Sequence, residues 1–240
     1  MKLISIIQAR MGSTRLPGKV LKPLGDTDVL SYVVARCRKI EGVAEVIVAT
    51  SSLPQDDAIA EWCKDHFISY YRGSEKDVLD RYVQCAKYYK PDYVMRVTSD
   101  CPFVDYEMAS EMVALAKSTQ VEIIDIKKEL PRGLAVEIIS YDALCRIHNI
   151  STEIRHREHV TYYAYEFKEE FKRASYEPPA NRQYPQLRIT LDTVEDYILC
   201  NALANHFNNK FISSAAIVAF LNSTPEVAKI NAHIEQKEVK

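Results

Sequence analysis

The sequence begins with an apolar run that changes abruptly into a polar, basic loop, and this junction limits the possible folds more than any other feature. The run from 3 to 7 has the length and the β-branched content of a strand that is buried on both faces. The loop that follows contains Gln8, Ala9, Arg10, Gly12, Ser13, Thr14, Arg15, Gly18 and Lys19. Small residues let backbone N–H groups approach an anion, and the cations add charge and forked donors. The junction therefore predicts a loop that holds a polyphosphate.

The spacing of this loop differs from that of a Walker loop. Gly12 and Gly18 are six positions apart rather than five, and Val20 stands where a serine or threonine is required. A basic turn that is simply solvated is the alternative interpretation. Two arginines, one lysine and two glycines within eleven residues, directly after a buried strand, favour an anionic ligand.

Strand and helix patterns alternate along the first half of the chain. Apolar positions at helical spacing predict helices at 30–40, 56–65, 77–89 and 106–117, and apolar runs predict strands at 43–49, 68–71 and 93–97. This alternation is typical of an α/β, Rossmann-like fold, in which helices flank a mostly parallel sheet. Such folds bind ligands at the carboxyl edge of the sheet, where the polar loop and a small polar turn at 50–52 are expected to meet.

The regular alternation ends near residue 121. Strand patterns at 121–126 and 134–139 flank a charged stretch at 127–132, which predicts a small antiparallel excursion over 121–140 that arches over the site or pairs with another subunit. Further helices are predicted at 141–149, 154–167, 194–207 (with Thr193 as N-cap) and 213–222, and a strand at 187–192 after a loop at 177–186. We expect one domain over residues 1–225 and a polar tail without assigned structure over 226–240.

The composition argues against several classes of protein. A formal net charge of −2 gives no reason to expect nucleic-acid or membrane binding through bulk charge. The six cysteines are scattered without C-x-x-C spacing, which argues against a zinc site and a disulfide framework. No apolar run approaches the ~18 residues of a membrane span, and Met1 leads directly into the first strand, so we expect a cytoplasmic protein.

Two carboxylates follow predicted strands. Asp100 comes directly after the strand at 93–97, and Asp192 ends the strand at 187–192. A carboxylate in such a position can hold Mg²⁺, which prefers oxygen ligands and usually keeps several waters while it bridges to substrate phosphates. Turn formation by Asp100 and helix capping by Asp192 are the structural alternatives. Together with a polyphosphate loop at the same edge, the pair predicts a Mg²⁺ site.

The polar loop also resembles the signature of a known family. Gln8-Ala9-Arg10, Ser13 and Arg15-Leu16-Pro17-Gly18-Lys19 are similar to the loop of the cytidylyltransferases that activate acidic sugars, the CMP-sialate and CMP-3-deoxy-octulosonate synthetases. The similarity is greatest to their spore-coat polysaccharide, SpsF-like branch. The resemblance implies a fold of the nucleotide-diphospho-sugar transferase type and a loop that wraps the triphosphate of CTP.

The resemblance extends to both carboxylates. The segment 96–102 is similar to the family's metal-aspartate segment, and 187–196 resembles its Leu-Asp-Thr-x-Glu-Asp segment, which supplies the second metal carboxylate. It therefore implies that Asp100 and Asp192 hold the metal. Ser99 departs from the pattern, because the family usually has glycine there, and it adds a Cβ beside the metal aspartate.

The later half of the chain contains donors and acceptors that could read an acidic or polyhydroxylated acceptor: Arg132, Glu137, Arg157, His159 and Arg188. A charged string on a helix, such as 155–159, is more often a solvated face. The segments 131–137 and 158–161 nevertheless look like segments of the SpsF-like branch, which favours a role in acceptor binding. Zinc binding by His156 and His159 is a weaker alternative, because their spacing offers no third ligand nearby.

Together with the resemblance, these features predict a Mg²⁺-dependent cytidylyltransferase that joins CTP to an acidic sugar or a related acceptor, for surface polysaccharide or glycoconjugate synthesis, and releases pyrophosphate. Arg10, Arg15 and Lys19 would neutralise the triphosphate, with Arg15, Lys19 and Asp100 as catalytic groups. Gln8, Ala9 and Ser51 would lie near the ribose and the base. We expect a homodimer, and the sequence names neither the acceptor nor a general base.

Two other functions are compatible with the pattern. A nucleotide-sugar-dependent glycosyltransferase uses a related fold, but the Asp-x-Asp pair that it usually carries is absent at 100–102. A non-catalytic nucleotide-binding subunit is the second alternative. The joint presence of Arg15, Lys19, Asp100 and Asp192 argues against it.

Overall fold

The computed structural model describes residues 1–235, and strands and helices alternate over its first half as predicted. The strands are β1 Leu3–Gln8, β2 Pro23–Leu24, β3 Thr27–Asp28, β4 Val43–Ser51, β5 Ser69–Gly73, β6 Tyr93–Thr98, β7 Ile123–Ile126, β8 Glu137–Ser140 and β9 Arg173–Tyr176. The helices are α1 Val29–Lys39, α2 Asp57–Asp65, α3 Val78–Tyr89, α4 Tyr106–Thr119, α5 Tyr141–Ile150, α6 Ile154–Glu158, α7 Tyr162–Glu166, α8 Val194–Phe207, α9 Ser214–Ser223 and α10 Pro225–Ala228.

A seven-stranded sheet in the order β5-β4-β1-β6-β8-β7-β9 forms the centre of the molecule, and β2 and β3 form a separate two-stranded antiparallel sheet. β1 pairs in parallel with β4 on one side and with β6 on the other. From β1 the chain adds β4 and then β5 on one side of the sheet, and it then returns to add β6 on the other side of β1. The strand order therefore reverses between β1 and β6. In parallel α/β sheets this reversal opens a crevice at the carboxyl ends of the strands, which is where ligands bind.

The core lies on both faces of this sheet. In β1, Leu3 and Ile7 belong to one buried cluster and Ile4 and Ile6 to the other, as the two-residue side-chain period of a strand requires. Helices α1, α4, α8 and α9 contribute to the first cluster, and α3 and α5 contribute to the second. The expected burial of β1 on both faces is confirmed, because Leu3, Ile4, Ile6 and Ile7 are completely buried.

Side chains that precede the helices fix where they begin. Asp28, Asp77, Asp105, Ser140 and Ser213 each accept a hydrogen bond from a backbone N–H in the first turn of the next helix. The predicted N-cap of α8 is confirmed, since Thr193 forms a capping box with Asp196. These caps satisfy donors that a helix end would otherwise leave unpaired.

The predicted antiparallel strands are present but belong to the central sheet. β8 pairs antiparallel with β6 and with β7, so it extends the sheet instead of leaving it. Strand β9, which was not predicted from the sequence, pairs in parallel with the outer edge of β7. Because β9 of the same chain pairs with β7, that edge of β7 is not open to a strand of another subunit.

Two predicted elements of the second half are wrong. The helix expected at 154–167 is split into α6 and α7, and Val160 between them has a φ of 47° while its side chain is completely buried. Tertiary packing of this valine outweighs the local preference for a continuous helix. The strand expected at 187–192 is an extended segment with one isolated bridge, between Arg132 and Arg188, because its backbone partners are loops: Ile189 N donates to Arg132 O and Leu191 N to Asp100 O, both at 2.8 Å.

The folded structure continues beyond the boundary expected at residue 225. Helix α10 follows directly, Val227, Ala228 and Ile230 pack against the main core, and Asn231 is buried. The last five residues of the predicted tail, 236–240, lie outside the described residues. Within residues 1–235 no helix is both long enough and apolar enough to cross a membrane.

Candidate functional site

A cleft of about 1330 Å³ opens at the carboxyl ends of β1 and β6. Its lining brings together most of the residues that the sequence predicted: Gln8, Ala9, Arg10, Gly12, Ser13, Arg15, Lys19, Asp100, Arg132, Glu137, His159 and Asp192. Gln8 is the last residue of β1, and Asp100 is the second residue after the end of β6. The predicted meeting point at the carboxyl edge of the sheet is thus where the cleft lies.

The polar loop folds around the backbone of Met11. The carbonyl of Met11 accepts from Ser13 N at 2.9 Å and from Gly18 N at 3.1 Å, and its N–H donates to Asp56 Oδ1 at 2.7 Å. Gly18 has a φ of 67°, a backbone conformation that residues with a side chain rarely adopt. It leads into a 3-10 turn over Lys19–Leu21. The turn carries Lys19 inward to the base of the cleft.

Lys19 joins the two predicted metal carboxylates. Its Nζ lies 3.0 Å from Asp100 Oδ2 and 2.8 Å from Asp192 Oδ1, and it also donates to the Leu191 carbonyl at 2.9 Å. Two carboxylates that are more than ninety residues apart in sequence therefore converge on one cation. This contact shows that Asp100 and Asp192 face the same point.

Electrostatics in this cluster keep both partners charged. Burial alone lowers the pKa of Lys19, but Asp100 and Asp192 more than offset that effect, so the pKa is raised above its ordinary value. Burial alone raises the pKa of Asp100, and the nearby ammonium of Lys19 with hydrogen bonds from Thr98 and Lys19 lowers it to about 2. Asp100 is thus a carboxylate ready to bind a cation at neutral pH.

Asp192 is held by two arginines in addition to Lys19. Its Oδ2 lies 3.2 Å from Arg15 Nη2 and 3.1 Å from Arg188 Nη2. Arg188 also forms a two-point ion pair with Asp196, with Nε at 2.8 Å from Oδ1 and Nη2 at 3.0 Å from Oδ2. Asp196 is completely buried, so this pair lies beneath the cleft and supports Asp192 from below.

The donor set around Lys19 fits a hard divalent cation. The ammonium of Lys19 stands in for such an ion, because oxygens of two carboxylates already point at it within hydrogen-bond distance. Among residues 1–235, no group of three or more His, Cys, Asp or Glu side chains is gathered so that it could hold a metal ion. An ion between Asp100 and Asp192 would need waters and ligand phosphates to complete its shell, as Mg²⁺ commonly does.

The other end of the cleft is built around Arg96 of β6. Its Nε donates to Gln8 Oε1 at 3.2 Å, and its Nη1 lies 2.8 Å from Glu137 Oε1. The second oxygen of Glu137 accepts a hydrogen bond from Thr161 Oγ1. The break between α6 and α7 thus brings Thr161 to Glu137 and places His159 in the lining of the cleft.

Burial changes the acid–base properties of two residues at this end. It lowers the pKa of His159, which favours a neutral imidazole at physiological pH. It also lowers the pKa of Arg132, and the charge of Arg188 acts in the same direction. The Arg132 guanidinium keeps its charge, so this exposed side chain supplies a cation in the lining of the cleft for an anionic ligand.

Three predicted site residues, Ser51, Arg157 and Arg188, lie outside the lining of the cleft. Arg157 donates from Nε to Asp77 Oδ2 at 2.9 Å and from Nη1 to the His148 carbonyl at 2.8 Å, so it ties α6 to its neighbours. Ser51 is completely buried at the end of β4, and its hydroxyl donates to Asp56 Oδ2. It therefore supports Asp56, which in turn holds Met11 in the polar loop. Arg188 is buried in the ion pairs with Asp196 and Asp192 rather than exposed to the cleft.

Sequence reasoning missed two arginines in the lining. Arg96 lies in the middle of an otherwise apolar strand, which is an observable signal because a charged residue at such a position is rarely buried without a role. Arg81 of α3 is 2% exposed, and its Nη1 donates to Ser74 O at 2.7 Å while its Nε has no hydrogen-bond partner among residues 1–235. Helical periodicity gave no signal for Arg81, since it predicts only which face is buried.

Comparisons with known proteins identify similar chains. The sequence model of a family described as cytidylyltransferase matches residues 4–236. An uncharacterized protein of Methanocaldococcus jannaschii is 37% identical over 237 residues, which cover 99% of this chain and 97% of that one. Spore coat polysaccharide biosynthesis protein SpsF of Bacillus subtilis is 35% identical over 232 residues, covering 94% and 96%. A solved cytidylyltransferase from Leptospira borgpetersenii has 32% identity and a TM-score of 0.89, covering 99% of this chain and all of that one.

Proposed function

The chain belongs to the cytidylyltransferase family and is a nucleotidyltransferase enzyme, and we propose that it transfers the cytidylyl group of CTP to an acidic sugar or a related acceptor. The similarity to SpsF suggests that the product serves the synthesis of a polysaccharide. The proposal includes Mg²⁺ as the metal, a cytoplasmic location and a homodimer, all three of which are expectations from the sequence.

The convergence of Asp100 and Asp192 on Lys19 carries this proposal. Cytidylyl transfer needs two features next to the α-phosphate. These are a cation held by carboxylates and positive charge that stabilises the departing pyrophosphate. Asp100 and Asp192 would hold Mg²⁺, which would supply charge neutralisation at the phosphates. Lys19 and Arg15, which contact these carboxylates in the unliganded protein, would then be available to the triphosphate oxygens.

The reaction in this site is an in-line displacement. A hydroxyl oxygen of the acceptor forms a bond to the α-phosphorus, and the bond from that phosphorus to the bridging oxygen of the β-phosphate breaks. The electron pair leaves with pyrophosphate, and the proton of the hydroxyl passes to solvent or to a base in the cleft. The polar loop binds and orients the phosphates, so positioning and charge stabilisation supply the rate enhancement without a covalent enzyme intermediate.

The other end of the cleft supports binding of the acceptor. Arg132 offers an exposed cation in the lining of the cleft for a carboxylate or phosphate of the acceptor. Glu137 and His159 offer polar groups for hydroxyls, and the contacts of Glu137 with Arg96 and Thr161 hold it in place. A sugar acid or sugar phosphate bound here would have a hydroxyl near the nucleotide end of the same cleft.

A nucleotide and acceptor screen tests the proposal. Pyrophosphate release is measured for CTP, UTP, ATP and GTP with Mg²⁺, each against a panel of sugar acids and sugar phosphates. We expect release with CTP and at least one acceptor, and a larger rise in melting temperature with CTP than with the other nucleotides, because a ligand that binds only the native state stabilises it. Equal melting shifts with all four nucleotides would leave a phosphate site without cytidylyl specificity.

A further inference from the structure

The last described residues of the chain return to the support of Asp192. Asn231 is 1% exposed, and its Nδ2 donates to Asp196 Oδ1 at 2.7 Å and to the Arg188 carbonyl at 3.0 Å. A buried amide is costly unless its hydrogen bonds are made, and here its N–H donors meet acceptors on two residues of one network. The C-terminal segment 229–235 is therefore connected to the buried ion pair below the cleft.

Asp196 is the centre of this network. It is completely buried, and it accepts from Arg188 Nε and Nη2 at 2.8 and 3.0 Å. Its Oδ2 also accepts from the backbone N–H groups of Asp192, at 2.9 Å, and Thr193, at 3.2 Å. One carboxylate thus joins the side chain of Asn231 to the backbone that carries Asp192.

Arg188 provides a second connection to the same residue. Besides the pair with Asp196, its Nη2 lies 3.1 Å from Asp192 Oδ2. Both the backbone N–H and the carboxylate of Asp192 are therefore oriented by groups that contact Asn231 directly or through Asp196. A carboxylate can serve in a metal site only if its direction is fixed, and hydrogen-bonded partners behind a ligand usually provide this.

We propose that Asn231 is a positioning residue of the nucleotidyl-transfer site, and that segment 229–235 closes the Asp196–Arg188 pair so that Asp192 points at the cation. The proposal rests on the proposed function in one respect, the assignment of Asp192 to the metal. Without the Asn231 amide, Asp196 loses a donor and water gains access to the pair. Asp192 then samples other directions, and the site binds its cation less tightly.

The competing explanation is that Asn231 only anchors the end of the chain. Its neighbour Ile230 offers a matched control, because this side chain is partly buried against the main core and makes none of the hydrogen bonds of the network. Ile230→Ala should loosen the same segment without removing a contact to Asp196 or Arg188. Differences between Asn231→Ala and Ile230→Ala therefore report on positioning, and shared effects report on anchoring.

The first measurement is hydrogen exchange of the unliganded protein, with Asn231→Ala, Ile230→Ala and wild type compared at the amides of residues 189–193. We expect faster exchange at Asp192 and Thr193 in Asn231→Ala only, because their N–H groups donate to Asp196. Unchanged exchange in Asn231→Ala, or equal acceleration in both variants, would overturn the proposal. This result does not depend on any nucleotide, so it stands even if the protein proves inactive with CTP.

The second measurement separates metal use from nucleotide binding. In pyrophosphate release with CTP, Asn231→Ala should raise the half-saturating Mg²⁺ concentration by about 10-fold, the lower end of what loss of a ligand's hydrogen-bonded partner costs, because Asn231 acts on Asp192 through Asp196 and Arg188. The KM for CTP at saturating Mg²⁺ should change little. Asn231→Asp, of the same shape, should have a larger effect because it places a second carboxylate against Asp196. An unchanged Mg²⁺ requirement in both variants would contradict the proposal.

Discussion

The two ends of the cleft are built in different ways. The end proposed to bind phosphates comes from one continuous stretch, Gln8 to Lys19, whose fold depends on short-range hydrogen bonds to the Met11 carbonyl and on one long-range bond from Met11 N–H to Asp56. The metal and acceptor end draws on Asp100, Arg132, His159 and Asp192, which come from separate loops. A local motif can be recognised from the sequence because its atoms are placed mainly by residues that are close to them in the chain. An assembled end depends on contacts between distant segments, so its residues should respond to substitutions as a group.

The largest effect is expected where the two ends meet, at Lys19. Lys19→Ala removes a preorganised charge at the phosphates and the cation that bridges Asp100 and Asp192, so pyrophosphate release should fall on the order of 10²-fold or more. Lys22→Ala, whose ammonium lies over the Tyr197 ring outside the lining of the cleft, is the matched control and should keep wild-type turnover. Near-normal pyrophosphate release in Lys19→Ala would show that the polar loop takes no part in the reaction.

Asp100→Asn and Asp192→Asn test whether the assembled end acts as a unit. If both carboxylates hold one ion, each variant should lose activity and require more Mg²⁺, with losses on the order of 10²-fold. The double variant should be little worse than either single one, because residues that serve one ion are not additive. Full activity in Asp192→Asn would assign Asp192 to structure, and multiplying losses would show that the two carboxylates act separately.

Arg132→Ala tests the acceptor region and should have a smaller effect. Loss of this cation from the lining of the cleft should raise the KM for the acceptor about 10-fold while the KM for CTP stays near the wild-type value. Lys127→Ala is the control, because Lys127 is exposed on the same stretch and its ammonium lies 3.9 Å from Glu177. Kinetics with the acceptor found in the screen would contradict the prediction if the KM for CTP rose and that for the acceptor did not.

The smallest effect concerns the stability of the metal-free protein in acid. The pKa of Asp100 in the folded protein, about 2, lies below its ordinary value of 3.8 because of Lys19 and hydrogen bonds from Thr98. Its contribution to the free energy of unfolding is complete above the ordinary pKa and is lost as the pH falls through the folded pKa. Denaturant unfolding between pH of about 5 and about 2 should therefore show wild type and Asp100→Asn converging as pH falls. A constant difference would show that Asp100 is not held ionised by its neighbours.

A mass measurement in solution tests the expected homodimer. The strand excursion over 121–140 was expected to arch over the site or to pair with another subunit, but its strand β7 pairs with β9 of the same chain. The homodimer therefore stays a prediction, and the pairing of β7 with β9 removes one of the reasons for it. A strictly monomeric mass at micromolar protein concentration would count against it.

The structure of segments that depend on residues nearby in the sequence could be predicted from the sequence. The alternation of strands and helices up to α4, the N-cap Thr193 and the polar loop follow from periodicity, capping and spacing, which act over a few residues. Ser99 stands where the family that the sequence resembles usually has glycine. A side chain is tolerated at this position because Ser99 is not among the residues with positive φ. Such features depend on backbone preferences that each residue carries with it.

Tertiary structure alone decided which distant side chains meet. The sequence suggested Arg188 as an acceptor ligand, yet Asp196 and Asn231 draw it into a buried pair, and a helical pattern at 154–167 gave way when Val160 entered the core. Each outcome depends on the gain from burying or pairing a group with a partner far away in the chain, and that gain exceeds the local preference. The sequence by itself determined the polar loop and its strand, and the three-dimensional packing determined the direction of Asp192.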